Sequence, residues 1–170
     1  MQPRHPLPRT WLMTDERLGE RLFEAVARLP EGSGIVFRHS SLPPAERKAL
    51  FDEVRARSAA HVLLLAGPED LARDWGADGS HGRGPGPWLR SAPVHDEAEL
   101  RAASSAGLLF VSPVFKTRSH PGAKLLGVDG FEALARRAQA PVIALGGMNA
   151  ARFATLPSAH GWAAIDAWLP

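Results

Sequence analysis

The chain reads as an α/β protein, a shortened TIM-type (β/α)8 barrel whose fourth helix is replaced by a loop and whose eighth helix is missing. Three observations predict this. Strand-like apolar runs alternate with helical periodicity along nearly the whole chain, which calls for a parallel sheet wrapped by helices. Runs such as HVLLLAG (61–67) and APVIALGGM (140–148) are continuously apolar, as strands buried on both faces are. At 170 residues the chain is short for such a barrel, which typically needs about 200. A doubly wound open sheet is the alternative architecture.

The elements follow in order. Residues 1–170 form one domain, and MQPRHPLPRT (1–10) is its extended, proline-rich and basic lead-in, lacking the apolar core of a leader peptide. TWLMTD (10–15) is a short strand closing on a Thr–Asp helix cap. Leu18, Leu22, Val26 and Leu29 recur every three or four residues, the spacing of an amphipathic helix. EGSG ends that helix, and IVFRH (35–39), β-branched and aromatic, is the second strand. SSLPPAERKALFDEVRARS opens on serine and proline, as helices do, and carries Leu50 and Val54 inside. HVLLLAG is the third strand, and PEDLARDWGADG is a short helix stopped by glycine.

SHGRGPGPWLRSAPVH (80–95) breaks the rhythm, because its glycines and prolines oppose a helix. The alternation then resumes with the helix DEAELRAASSAG, the strand LLFVSPVF and a charged loop. The helix VDGFEALARRAQ, the strand APVIALGGM, the helix NAARFATLP and a last strand in GWAAIDAWLP complete it. The count is seven or eight strands.

Composition narrows the partners. A formal charge of +2 is too small for the basic face that nucleic-acid binders carry. The absence of cysteine removes disulfides, thiol catalysis and thiolate metal sites. No run approaches the about 20 apolar residues of a membrane span, so a cytoplasmic protein without membrane or nucleic-acid partners is expected.

In either parallel architecture, sites form at the carboxyl ends of strands. Those ends carry Arg38 and His39, His81, His95, the loop Lys116 to His120, Gly146 to Asn149, and Asp166. The glycine pair in ALGGMN lets backbone N–H groups approach a ligand, and the helix that follows offers unpaired donors to an anion. A tight strand-to-helix turn is the alternative reading of this pair. Two of the three lysines, Lys116 and Lys124, lie in FKTRSHPGAKLLG. Lys116, Arg118 and His120, with the Thr117 and Ser119 hydroxyls between them, are suited to phosphate oxygens; a solvated basic loop is the alternative. Histidines 39, 81, 95 and 120 match no standard metal-ligand spacing, so no metal site is assigned.

VHDEAELRAASSAGLLFVSPVF, the threonine and serine after it, LGVDGFEALARRAQAPVIALGGMN and HVLLLAGPEDLARDWGADGSH resemble the thiamine phosphate synthase and thiazole tautomerase superfamily, from about Trp11 to Trp168. The resemblance implies a (β/α)8 barrel that joins a pyrimidine pyrophosphate to a thiazole phosphate, releasing pyrophosphate with magnesium. It matches Gly146 and Gly147 to phosphate-binding glycines, Thr117 to the threonine of the loop after strand six, and Arg38 to a basic residue after strand two. It also marks departures. Ala66 and Gly67 stand where an Asn–Asp pair is expected, and the magnesium-binding aspartate after strand four would fall in GRGPGP, which holds no acid. Pro93 replaces a serine, His120 a lysine for which Lys116 or Lys124 is the spatial substitute, and Asp166 a phosphate-binding serine. Ser112 replaces the tautomerase histidine.

The expected function is therefore thiamine phosphate synthase-like. Lys116, Arg118, His120 and Arg38 would stabilise pyrophosphate, and Gly146, Gly147, Met148 and Asn149 would hold the thiazole phosphate. No cofactor is assigned; magnesium is implied by the resemblance, but its usual ligands are absent. One alternative is metal-independent isomerisation of a thiazole phosphate, with His81, His95 or His120 as general base. Another is a non-catalytic barrel that binds a phosphorylated ligand. The missing helices predict uncovered apolar strand surface near Trp75, Trp88, Trp162 and Trp168, and hence a homodimer.

Overall fold

The computed structural model describes residues 6–84 and 89–170. Trp88 and the first half of the lead-in lie outside the described residues. Eight strands close in sequential order into a barrel in which every pair is parallel. They are β1 (Thr10–Met13), β2 (Gly34–Phe37), β3 (Val62–Ala66), β4 (Gly79–His81), β5 (Arg90–Val94), β6 (Leu108–Val111), β7 (Val142–Leu145) and β8 (Gly161–Ala164). The closed ring excludes the open-sheet alternative. Outside it run α1 (Arg21–Arg28), α2 (Pro44–Arg57), α3 (Glu69–Asp74), α4 (Glu97–Ala102), α5 (Gly127–Ala135) and α6 (Ala150–Phe153). Between β4 and β5 the described residues hold no helix, and β8 is followed by a 3-10 turn at Asp166–Trp168.

Strand residues alternate in and out of the ring, and the register sets which do which. Trp11 pairs with Gly34, and Ile143 with Gly161. The Trp11 indole fills the floor of the barrel, edge-on to Phe110 at 5.3 Å, with its Nε1–H donated to Pro8 O at 2.9 Å. A Cβ at Gly34 would lie 2.2 Å from that ring, so one large residue inside demands a small one beside it. On the outer face, Phe37 meets Phe51 of α2 at 5.5 Å, edge to face.

Several elements are shorter than their sequence patterns. The sixth strand ends at Val111 rather than running through Phe115, because Pro113 has no N–H to donate. The helix expected over NAARFATLP stops at Phe153, where the Thr155 hydroxyl donates to Arg152 O at 2.7 Å.

The expectation of bare strand at the missing eighth helix is corrected. Trp162 points outward from β8 and stacks on Trp168, with ring centroids 4.8 Å apart. Trp168 donates Nε1–H to Trp11 O at 3.1 Å and is 9% exposed. The 3-10 turn thus folds its own indole over the gap. Trp75 likewise packs inward against Phe51 of α2. Among the described residues the exposed large hydrophobic side chain is Leu125, in the loop after β6.

Candidate functional site

After β6 the chain crosses onto the end of β7. Val114 N–H donates to Leu145 O at 2.9 Å and Phe115 N–H to Gly146 O at 3.0 Å. This crossing explains the glycine pair. Gly146 and Gly147 have φ of +100° and +60°, where a side chain is strained. A Cβ at Gly147 would also lie 2.4 Å from Lys116 O, and one at Gly146 2.8 Å from Pro113 Cα. The loop therefore rests on the glycines. From α6, Arg152 donates to Gly147 O and covers the Phe115 ring at 4.9 Å, holding this junction closed. The backbone N–H groups of Gly147 and Met148 have no acceptor among the described residues. Across β8, the N–H groups of Asp166 and Ala167, which open the 3-10 turn, have no acceptor among the described residues, as in helical first turns.

The opposite wall comes from β1 and β2. Arg38 is half-buried; its Nε–H donates to Thr14 O at 2.6 Å and its Nη2–H to Asp15 Oδ2 at 3.1 Å. Burial lowers the Arg38 pKa, and Asp15 opposes that shift. Burial alone would raise the Asp15 carboxyl, but the Arg17 N–H and guanidinium, together with Arg38, hold it below the usual carboxylate range. Arg17 then donates from Nη2 to Ser119 Oγ at 3.1 Å.

A cavity of about 250 Å³ opens between these walls. The loop lines it with Lys116, Thr117, Arg118, Ser119 and His120, and the strand ends add Arg38, His95, Gly146, Gly147, Met148 and Asp166. Among the described residues, Lys116, Arg118, His120 and Lys124 make no ion pair. His95 is oriented from α4: its Nδ1 lies 2.6 Å from Glu99 Oε2, the oxygen that also accepts the His95 backbone N–H at 2.9 Å.

Three sequence-predicted residues fall outside this cavity. His81 points into the barrel below the mouth, with Nδ1 2.8 Å from Ser91 Oγ and its ring edge-on to Phe110 at 5.3 Å. Burial first, and the charge of Arg38 second, lower its pKa to about 4. His39 has a φ of 45° and turns outward, stacking on Phe37 with its Nδ1 3.0 Å from Thr14 Oγ1; burial lowers its pKa as well. The Asn149 side chain accepts Arg152 N–H at 2.9 Å as the N-cap of α6. Two residues of the site escape sequence reasoning: Asp15, which by local pattern is only a helix cap, and Arg17. Nothing local ties either to the site, because the partners that do so, Arg38 for Asp15 and Ser119 for Arg17, are 23 and 102 positions away.

The residues present do not fit magnesium. The end of β3 offers Ala66 and Gly67, and GRGPGP contains no acid. Asp15 is engaged by Arg17 and Arg38, and Glu99 by His95 and Arg83. Among the described residues, no three His, Asp or Glu side chains converge.

A parallel (β/α)8 barrel with a basic cavity at its strand carboxyl ends is an architecture that carries small-molecule sites. The family model described as "Thiamine monophosphate synthase" matches residues 90–167. A curated relative from Aquifex aeolicus, "Putative thiamine-phosphate synthase 2", is 32% identical over 161 residues, covering 84% of this chain and 87% of the relative. The chain belongs to the thiamine monophosphate synthase family. The fold agrees: a thiamine phosphate pyrophosphorylase from Pyrococcus furiosus superposes with a TM-score of 0.76 at 22% identity, covering 92% of this chain and 85% of that one. A thiamine phosphate pyrophosphorylase from Bacteroides thetaiotaomicron gives a TM-score of 0.60 at 14% identity, covering 95% and 84%. Among the described residues, no helix is long and apolar enough to cross a membrane.

Proposed function

We propose that this chain binds a small phosphorylated molecule in the cavity at the strand carboxyl ends and acts as a thiamine phosphate synthase-like transferase. The observation that carries this is that unpaired cations, Lys116 and Arg118, and N–H donors of Gly147 and Met148 without an acceptor among the described residues line one cavity. Phosphate oxygens satisfy both sets, and charge-assisted hydrogen bonds are the stronger kind. Loops after the seventh and eighth strands of such barrels commonly hold phosphate. In this reading the glycine end takes the thiazole phosphate, while Arg38, Lys116, Arg118 and His120 receive the charge developing on the departing pyrophosphate.

The test is direct. Purified protein incubated with a pyrimidine pyrophosphate and a thiazole phosphate should form thiamine phosphate above the no-enzyme rate. Lys116→Ala combined with Arg118→Ala should reduce that rate by at least about tenfold. Product at background level with wild-type protein would rule out the transferase.

One observation favours a second reading, isomerisation of a thiazole phosphate. The Glu99 carboxylate orients His95 at the cavity wall, as a general base is oriented. His95→Asn would then abolish isomerisation while leaving phosphate binding intact; an unchanged rate counts against it.

A further inference from the structure

Glu99 is the third residue of α4, and part of its engagement is helix capping. Its backbone N–H donates to the N-cap Asp96 Oδ1 at 2.8 Å, and its Oε2 accepts the His95 backbone N–H at 2.9 Å. Reciprocal caps of this kind satisfy the first turn of a helix. A cap asks for no more than that. Here the same Oε2 also meets His95 Nδ1 at 2.6 Å, and Arg83 donates from Nη2 to the other oxygen, Oε1. Arg83 lies between β4 and β5, where the described residues hold no helix. The backbone just ahead of it is fastened to β5. Gly82 N–H donates to Ser91 O at 2.9 Å, and the buried Arg90 donates Nη1–H to Gly82 O at 3.2 Å.

A guanidinium can only donate, and a carboxylate oxygen that takes a backbone N–H is an acceptor. With both Glu99 oxygens accepting, the proton between Oε2 and Nδ1 belongs to the ring. Neutral His95 is then the Nδ1–H tautomer, because the bond made by one ring nitrogen decides the state of the other. Its Nε2 is left bare, without a partner among the described residues, on a residue that lines the cavity.

We propose that Arg83 is a positioning residue: through Glu99 it fixes His95 as the tautomer whose bare Nε2 accepts a proton from the ligand. This rests on the isomerisation reading. The step balances within the ligand: a C–H bond breaks, Nε2–H forms, and the electron pair moves into the ligand's conjugated system. The same proton then returns at the far end of that system. In the sequence Arg83 stands among glycines and prolines, where it reads only as a loop charge.

The experiment is a long-range proton–nitrogen correlation spectrum of the full chain with labelled histidines, in mildly alkaline buffer where free imidazoles are neutral. His95→Asn identifies the His95 signals by their loss. Wild type is expected to show a protonated Nδ1 and a bare Nε2. Arg83→Ala should stay folded by circular dichroism and shift His95 toward mixed tautomers. Arg83→Lys, which returns a donor to Oε1, should restore the wild-type pattern. A wild-type His95 protonated on Nε2, as tautomer or imidazolium, would overturn the assignment. So would an Arg83→Ala spectrum identical to wild type, which limits Arg83 to a surface ion pair. Turnover of a thiazole phosphate is read in parallel. Arg83 is 67% exposed, so its loss should lower kcat by about threefold to fivefold, with KM unchanged. An unchanged kcat, or a change confined to KM, would overturn the positioning role. No turnover by wild type would overturn the isomerisation reading and the proton transfer with it, while the expected spectra would leave the tautomer assignment standing.

Discussion

Arg17 donates from Nη2 to the Ser119 hydroxyl at 3.1 Å, joining residues 102 positions apart across the mouth of the barrel. The bond pins the basic loop after β6 to the end of β1 over the cavity. Arg17 is 42% exposed, so the bond is worth at most about 1 kcal/mol. That magnitude changes loop opening by at most about fivefold. Trypsin should therefore cut after Lys116, Arg118 or Lys124 several-fold faster in Arg17→Ala than in wild type, with global stability little changed. Equal cleavage rates would show that the contact does not hold the loop.

Gly147→Ala should be costly for two reasons that act together. The backbone sits at a φ of +60°, and the new methyl would press on Lys116 O. Strain of this kind costs about 1–3 kcal/mol, and relief would push the loop away from β7. The expected result is a lower urea midpoint together with weakened pyrophosphate binding. Gly84→Ala is the control: among the described residues no atom lies within 4 Å of the methyl it would add, and its φ is ordinary. Its effect should stay within about 0.5 kcal/mol. Similar midpoints for the two variants would contradict the close approach at Gly147.

Stability should fall in mild acid because of His81. Its folded pKa of about 4 lies below the unfolded value of 6.5, so between those limits the unfolded chain holds more protons. The stabilisation is present above pH about 6.5 and is lost as pH falls toward 4. His39 and His61, also lowered by burial, add in the same direction. Urea unfolding followed against pH should be less steep across that window in His81→Asn. An unaltered profile would mean that His81 does not sit neutral in the barrel.

Trp168→Ala removes the stack on Trp162 and the hydrogen bond to Trp11 O. Loss of a large buried aromatic costs about 3–5 kcal/mol, and the outward face of β8 would be laid bare. Expected outcomes are a marked drop in thermal midpoint and concentration-dependent association by light scattering. Trp168→Phe keeps a ring but not the donor, and should lose about 1 kcal/mol. A Trp168→Ala variant as stable as wild type would show that another group covers β8.

Much of the barrel is legible in the sequence because its signals are local. Continuous apolar runs, helix periodicity and glycine punctuation each depend on neighbours in the chain, so HVLLLAG and APVIALGGM announce buried strands. The same locality places Lys116 to Ser119 and Gly146 to Met148 at strand ends, where they share a cavity. Sequence and structure part where side-chain direction matters. His39, His81 and His95 look alike in the sequence, yet strand register sends His81 inward, a left-handed backbone turns His39 out, and Glu99 holds His95 at the wall.

Long-range partners carry what composition and periodicity leave open. Local pattern sufficed for the barrel and for the strand ends at its mouth, since these depend on residue type and order along the chain. Closure brought Asp15 between Arg17 and Arg38, set Lys116 on Gly147, folded Trp168 over β8, and set Arg83 against Glu99 behind His95. Each of these is a pairing of atoms, and a pairing exists only after the ring has closed and the register has fixed which side chains meet.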